Sequence, residues 1–358
     1  MSKQIPEEVK PLTPEKKALL ALLAFTYLIL IVLWIANNLN KPLFGIGSIE
    51  GFNRTPAPVA ATAPMTWRFA PGLGHLAVLN VLSSPLSFSQ IERLNSISGG
   101  PTGTNIYRIS YRSDSKTVYG LMGIPAKTPA PVIVLCHPSD TPYQTGLHTE
   151  DTVKFLAGLG VVAFAPDYQG WGNSEGARGD EVRDVLNALA ALRRDPAVAK
   201  GKEGLIGYSM GGGIAARAAA IDTNINLLVL YYAQMLGSVE ELQDGLRYGK
   251  FESISAIKNF IDEGKKNGAD AAELEYTLRM ISPIYHLYDF SGRAVIFHGE
   301  KDNVVSIRQS QGLESELRRL GKNVELVTYP ALSHAFANSI ENPSKEKLAE
   351  VVKAALLK

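Results

Sequence analysis

Gly207-Tyr208-Ser209-Met210-Gly211 places a serine between two glycines two residues apart on either side. The apolar pair Leu205-Ile206 precedes it and a run of small residues follows, which is the strand–turn–helix setting of an exposed nucleophile. A serine on so tight a turn is held in strained backbone geometry, and side chains at Gly207 or Gly211 would collide with the adjoining strand and helix. A lone hydroxyl is a poor nucleophile and needs an imidazole to take its proton. Of the six histidines (His75, His137, His148, His286, His298 and His334), only His334 lies beyond the last strand-like segment, in Pro330-Ala331-Leu332-Ser333-His334-Ala335-Phe336. A carboxylate must fix the tautomer of that imidazole and stabilise its protonated form. Val295-Ile296-Phe297-His298-Gly299-Glu300-Lys301-Asp302 ends a strand and turns, so Glu300 and Asp302 both qualify by position. The oxyanion of an acyl-transfer intermediate would take the backbone N–H of Met210 and a second from the loop after Leu135-Cys136-His137. Pro138 has no N–H, which makes Ser139 the expected donor, with Asp140 behind it. His137 itself reads as a brace for that loop.

Other chemistries find no support. Neither GxGxxG nor GxxxxGK[ST] occurs, so no nucleotide loop is expected, and no histidine or cysteine spacing suggests a metal. The one cysteine, Cys136, sits in the apolar run Val132-Ile133-Val134-Leu135-Cys136 and reads as core; an intramolecular disulfide is impossible. With 36 basic and 35 acidic residues the formal net charge is +1, and no basic stripe calls for nucleic acid. Hydrophobic residues make up 46% and charged residues 20% of 358, enough for one large α/β domain and an appendage.

The elements that must position these residues alternate. Ile106 to Tyr111 and Val118 to Ile124 predict neighbouring strands split by the turn Ser113-Asp114-Ser115, and Val132 to Cys136 a buried strand. Helical spacing over Thr152 to Leu159 precedes apolar Val161 to Ala165. Asp180 to Arg194 places Val182, Val185, Leu186, Leu189 and Leu192 on one helical face. Leu205-Ile206, Leu227 to Tyr231, Ala294 to Phe297 and Val324 to Val327 complete the strands, with helices over Ser306 to Leu320 and Lys345 to Leu357. Such alternation predicts a mostly parallel sheet with helices on both faces. Between the strands at Leu227 and Ala294 lie three helical patterns, Val239 to Tyr248, Ile254 to Glu263 and Ala271 to Met280. They are too many for one crossover and predict a small helical lid over about 235–285. Tyr232, Tyr276 and Tyr285 are the apolar groups expected to line a substrate pocket there.

The N-terminus has a different character. Ala18 to Ala36 runs without a charge and is rich in Leu, Ile and Val, close to the ~20 residues a helix needs to cross a bilayer. It is longer than the apolar part of a cleaved signal, and Trp34 is too bulky for a small-residue cleavage site at Ala36, so an uncleaved signal anchor is expected. Lys3, Lys10, Lys16 and Lys17 precede it, while only Lys41 and Arg54 follow closely, which puts 1–17 in the cytoplasm and the remainder outside. Residues 37–85, with recurring Pro, Gly and Asn, read as a tether, and 86–358 as the catalytic domain.

From about residue 85 onward the chain resembles the catalytic domain of the prolyl oligopeptidase family, including its dipeptidyl-peptidase-like and acyl-peptide-hydrolase-like members, all of α/β-hydrolase fold. The residues that carry the resemblance are Gly207 to Gly211, the loop from Ala165-Pro166-Asp167-Tyr168-Gln169-Gly170 through Gly176, Ser282-Pro283, the His298-Gly299-x-x-Asp302 turn and Ser333-His334. The resemblance implies a Ser209–His334–Asp302 triad and favours Asp302 over Glu300. It also implies cleavage of peptide or ester bonds of a small ester or short peptide through an acyl-enzyme, with no cofactor. Three departures stand out. Pro138 follows His137 where such proteins usually carry glycine, Gln169 stands where arginine is common, and the residues before 85 are too few for a β-propeller. A carboxylesterase shares the same elbow and triad, and a catalytically silent, membrane-anchored binding domain is the reading from another class.

Overall fold

The computed structural model describes residues 86, 90–139, 147–179, 181–249, 256–338 and 342–358. The chain divides into two units, Met1–Thr66 and Trp67–Lys358, and all described residues belong to the second. The apolar segment 18–36 and the tether 37–85 therefore lie outside the described residues. Among those that are described, no helix is long and apolar enough to cross a membrane.

The described strands form one nine-stranded sheet: β1 (Glu92–Ile97), β2 (Asn105–Ser113), β3 (Lys116–Ile124), β4 (Ala130–Cys136), β5 (Val162–Pro166), β6 (Val198–Tyr208), β7 (Ile225–Tyr231), β8 (Arg293–Gly299) and β9 (Asn323–Tyr329). Their order is β1-β2-β3-β5-β4-β6-β7-β8-β9. β1, β2 and β3 pair antiparallel, as β3 does with β5, and the rest of the sheet is parallel. This is the α/β-hydrolase arrangement. The predicted hairpin Ile106–Ile124 is present, in uninterrupted register from Asn105↔Ile124 to Ser113↔Lys116.

Both faces of the parallel part are buried, and β4 shows how. Val132, Val134 and Cys136 point into one core with Leu186, Leu189 and Ala215, while Ile133 and Leu135 point into the other with Leu156, Val351 and Val352. An all-apolar strand is what a sheet covered on two sides requires. The covering helices are α1 (Leu147–Leu159), α2 (Glu181–Leu192), α3 (Met210–Ile221), α7 (Ile307–Arg319) and α8 (Lys345–Leu356).

The helical insertion between β7 and β8, the segment expected as a lid, contains α4 (Val239–Tyr248), α5 (Ala256–Lys266) and α6 (Ala271–Ile281). It has a core of its own, in which Val239, Leu242, Ile257, Phe260, Ile261, Leu274 and Leu278 meet. Capping boxes begin α4 (Ser238 with Glu241) and α6 (Asp270 with Glu273). Ser282 ties the lid's end to its start, its hydroxyl lying 2.8 Å from Met235 O and 3.0 Å from Gly237 O. An Arg308–Asp244 ion pair joins α7 to α4.

Strand β1 has no counterpart in the expected element list. Five of its six residues are exposed, so it carries none of the apolar alternation that marks a half-buried strand; pairing with β2 makes it a strand. β6 also runs well before the short Leu205-Ile206 expected, because Val198 to Lys202 adds polar and glycine residues to its start.

Candidate active site

The three residues read from the sequence meet at the carboxyl ends of three parallel strands. Ser209 follows β6, Asp302 follows β8 and His334 follows β9. The Ser209 hydroxyl lies 3.1 Å from His334 Nε2, and His334 Nδ1 lies 2.7 Å from Asp302 Oδ2. A carboxylate only accepts, so Nδ1 carries the proton and Nε2 is free to accept from the serine.

The elbow behaves as its sequence requires. Ser209 has φ 50° and ψ −119°, a conformation rarely adopted by a residue with a side chain. Backbone bonds hold it there, from Ser209 N–H to Tyr231 O at 3.0 Å and from Gln234 N–H to Ser209 O at 2.9 Å. A Cβ on Gly207 would stand 2.4 Å from Gly211 O, and one on Gly211 would stand 2.1 Å from Cys136 O. Both glycines are therefore demanded by close backbone approach. Met210 opens α3 immediately after the serine.

The loop bearing His334 and the turn bearing Asp302 are joined by backbone bonds from Lys301 N–H to Leu332 O (2.9 Å) and Glu300 N–H to Tyr329 O (3.0 Å). Glu300 faces elsewhere, accepting from Thr328 at 2.7 Å. Asp302 is enclosed by donors. Its Oδ1 takes the N–H groups of Val304 and Val305, each at 2.9 Å, and its Oδ2 takes His334 and has His298 Nε2 at 3.3 Å. Burial alone would raise its pKa, but the bonds from His298, His334, Val305 and Val304 outweigh that and hold the carboxyl well below the usual carboxylate range.

On the other side of the serine, His137 braces the loop after β4. Its ring nitrogens lie 2.6 Å from Pro138 O and 3.3 Å from Asp167 O, and its ring stacks on Tyr168 with Trp171 at its edge. Ser139 is exposed at the end of this loop, and Asp140 lies outside the described residues. Gln169, at the position where arginine is common, donates from its backbone (2.6 Å) and its carboxamide (2.9 Å) to Asp184. No cation takes part in those two bonds. Burial pushes the Asp184 carboxyl up to about 6, with Ser113 and Gln169 drawing it back only in part.

Of the three tyrosines expected at the pocket, Tyr232 is 1% exposed and packs its ring against the His334 imidazole, centroids 4.6 Å apart. Tyr285 is tied into the lid's base, its hydroxyl accepting from Val239 N–H at 2.8 Å beneath the Arg279 guanidinium. Tyr276 stands 43% exposed on α6. Sequence reasoning assigned no role to His298, although it heads the turn that carries Asp302. The fully buried Asp184 carries no sequence signal of its own beyond its place in an amphipathic helix.

A family model described as the prolyl oligopeptidase family matches residues 147–353. The chain belongs to the prolyl oligopeptidase family. It is a serine hydrolase. Among its relatives, the uncharacterized peptidase YtmA of Bacillus subtilis is 28% identical over 238 residues, which span 64% of this chain and 86% of that protein. Solved structures share the fold at low identity. An acetyl xylan esterase from Paenibacillus sp. R4 matches with a TM-score of 0.61 and 16% identity, over 83% of this chain and 97% of that one. A puromycin-hydrolyzing peptidase of Mycobacterium tuberculosis matches with a TM-score of 0.53 and 18% identity, over 75% and 39%. This member of the prolyl oligopeptidase family thus has both esterases and peptidases among its structural neighbours.

Proposed function

We propose that this protein is a membrane-tethered serine hydrolase that cleaves small esters and short acylated peptides, with Ser209 as nucleophile, His334 as general base and Asp302 as its supporting acid. The observation that carries the reading is the continuous chain of bonds from the Ser209 hydroxyl through His334 to Asp302, 3.1 and 2.7 Å long. In the first step Ser209 Oγ bonds to the substrate's carbonyl carbon while its proton passes to His334 Nε2. The negative charge on the carbonyl oxygen is met by the Met210 N–H and by Ser139 from the loop after β4. Collapse breaks the bond to the leaving alcohol or amine, which takes the proton from His334. Water then attacks the acyl-enzyme by the same route, giving up a proton to His334, which returns it to Ser209.

Selection of substrate falls to the lid, since the triad supplies chemistry and no preference. A cover of three short helices with a small core suits a modest acyl or peptidyl group rather than a protein strand. The peptidase name of the Bacillus subtilis relative and the esterase names among the structural neighbours are both consistent with that substrate range. The apolar segment 18–36 would anchor the enzyme in the cell membrane with its catalytic domain outside.

Two measurements test the proposal. A fluorophosphonate probe should label the intact protein and not the Ser209→Ala variant; equal labelling of both removes Ser209 as nucleophile. In a paired assay of p-nitrophenyl esters, acyl-aminoacyl anilides and casein, the small substrates should turn over. Robust casein cleavage with negligible turnover of both small classes would overturn the substrate range. The ester-to-anilide ratio then separates esterase from peptidase.

A further inference from the structure

His298 heads the turn that carries Asp302 and takes no part in the steps above. Its side chain is fully buried at the end of β8, and each of its ring nitrogens meets a defined partner. Nε2 lies 3.0 Å from Val305 O and 3.3 Å from Asp302 Oδ2. Both neighbours are acceptors, so Nε2 carries the proton. Nδ1 lies 2.7 Å from the hydroxyl of Ser310 on α7, which can donate to it and so complete the Nε2–H tautomer. The contact with Asp302 falls on Oδ2, the same oxygen that takes His334 Nδ1–H. Val305 links the two halves of the arrangement. Its carbonyl accepts from His298, and its N–H donates to Asp302 Oδ1 at 2.9 Å.

Resting on the triad reading, we propose that His298 is the positioning residue of Asp302, holding Oδ2 directly and Oδ1 through Val305, with Ser310 setting its tautomer. A carboxylate that accepts on both oxygens from fixed donors cannot swing about its last side-chain bond. Its Oδ2 then stays in line with His334 Nδ1, which keeps His334 Nε2 aimed at Ser209. Without His298 the carboxylate keeps its two backbone donors but loses the lateral one, and the imidazole it steers loosens with it. The consequence is on turnover, because His298 lies behind Asp302 and does not touch substrate.

The test compares His298→Leu, His298→Gln and Ser310→Ala in the full-length, detergent-solubilised protein, with Asp302→Asn as reference, using p-nitrophenyl ester kinetics and thermal unfolding. Leucine removes the donor at similar volume. Glutamine restores it, since its amide nitrogen can replace Nε2 with a proton for each acceptor while its oxygen accepts from Ser310. His298→Leu is expected to lower kcat about tenfold with KM unchanged, as for partners one step behind a reacting group. His298→Gln should recover most of that loss, and Ser310→Ala should show a smaller loss of the same kind. Should the leucine variant fail to fold, the glutamine and alanine variants decide. Full kcat in Ser310→Ala together with no advantage of glutamine over any folded His298 variant overturns the proposal, as does a loss carried by KM. If Asp302→Asn itself keeps full activity, the fault lies with the triad reading instead.

Discussion

At the scale of single residues, Asp302 and Glu300 show how two equivalent-looking carboxylates are told apart. Both end the same strand, yet only Asp302 is surrounded by four donors, while Glu300 faces Thr328. Asp302→Asn is expected to cut kcat on the order of 10⁴-fold by favouring the wrong imidazole tautomer. Glu300→Gln should stay near the unmodified rate, and steady-state kinetics of the two variants check the assignment. Asp184 supports a second residue-scale prediction. Its folded pKa is raised to about 6, from an ordinary value near 3.8. The native state therefore binds the proton more tightly than the unfolded chain does. The stability this contributes is complete below about pH 4 and is lost as pH rises to about 6, an effect of about 3 kcal/mol. Asp184→Asn carries no such charge, so its melting temperature should gain on the unmodified protein between pH 4 and pH 7.5. A constant difference across that range would show that Asp184 is not buried as a neutral acid.

The lid is the unit to test at the scale of elements. Its helices are short and hold together through their own small core and their capping boxes. Asp270 accepts from Glu273 N–H at 2.9 Å, and Glu273 accepts in return from Asp270 N–H at 3.0 Å. Asp270→Ala should destabilise α6 by about 1 kcal/mol. Hydrogen exchange should then rise first over 256–281, with the protection of β6 to β8 unchanged. Uniform loss of protection across the sheet would mean that the lid and the sheet unfold as one unit. In the same variant, kcat for the smallest p-nitrophenyl ester should be preserved while selectivity among longer acyl chains declines, since Ser209, Asp302 and His334 follow strands of the sheet and the proposed role of the helical insertion is in substrate selection.

For the whole molecule the prediction concerns topology. The lysines before residue 18 and the charge-free run to 36 predict a catalytic domain outside the cytoplasmic membrane. Protease added to intact spheroplasts should digest the chain beyond residue 40, leaving a short membrane-retained fragment. Digestion only after lysis would place the domain on the cytoplasmic side.

Much of this was legible in the chain itself because the signals are local. The Gly207 to Gly211 turn, the all-apolar β4 and the capped helices of the lid are each specified by neighbours within a few positions. So was the order of serine, acid and histidine along the chain, since each follows a strand that its own composition marks. What sequence left open depended on which distant groups fold against one another. β1 is a strand only because β2 pairs with it, and Tyr232 packs on an imidazole 102 positions away while Tyr276 stands exposed on α6. The choice between Asp302 and Glu300 rested on a resemblance until the loop after β9 came alongside the turn after β8, joined by backbone bonds from Glu300 and Lys301. Local propensity marks the central strands and the turns after them, but which side chains meet at their ends is set by sheet order and packing, and those are properties of the folded chain alone.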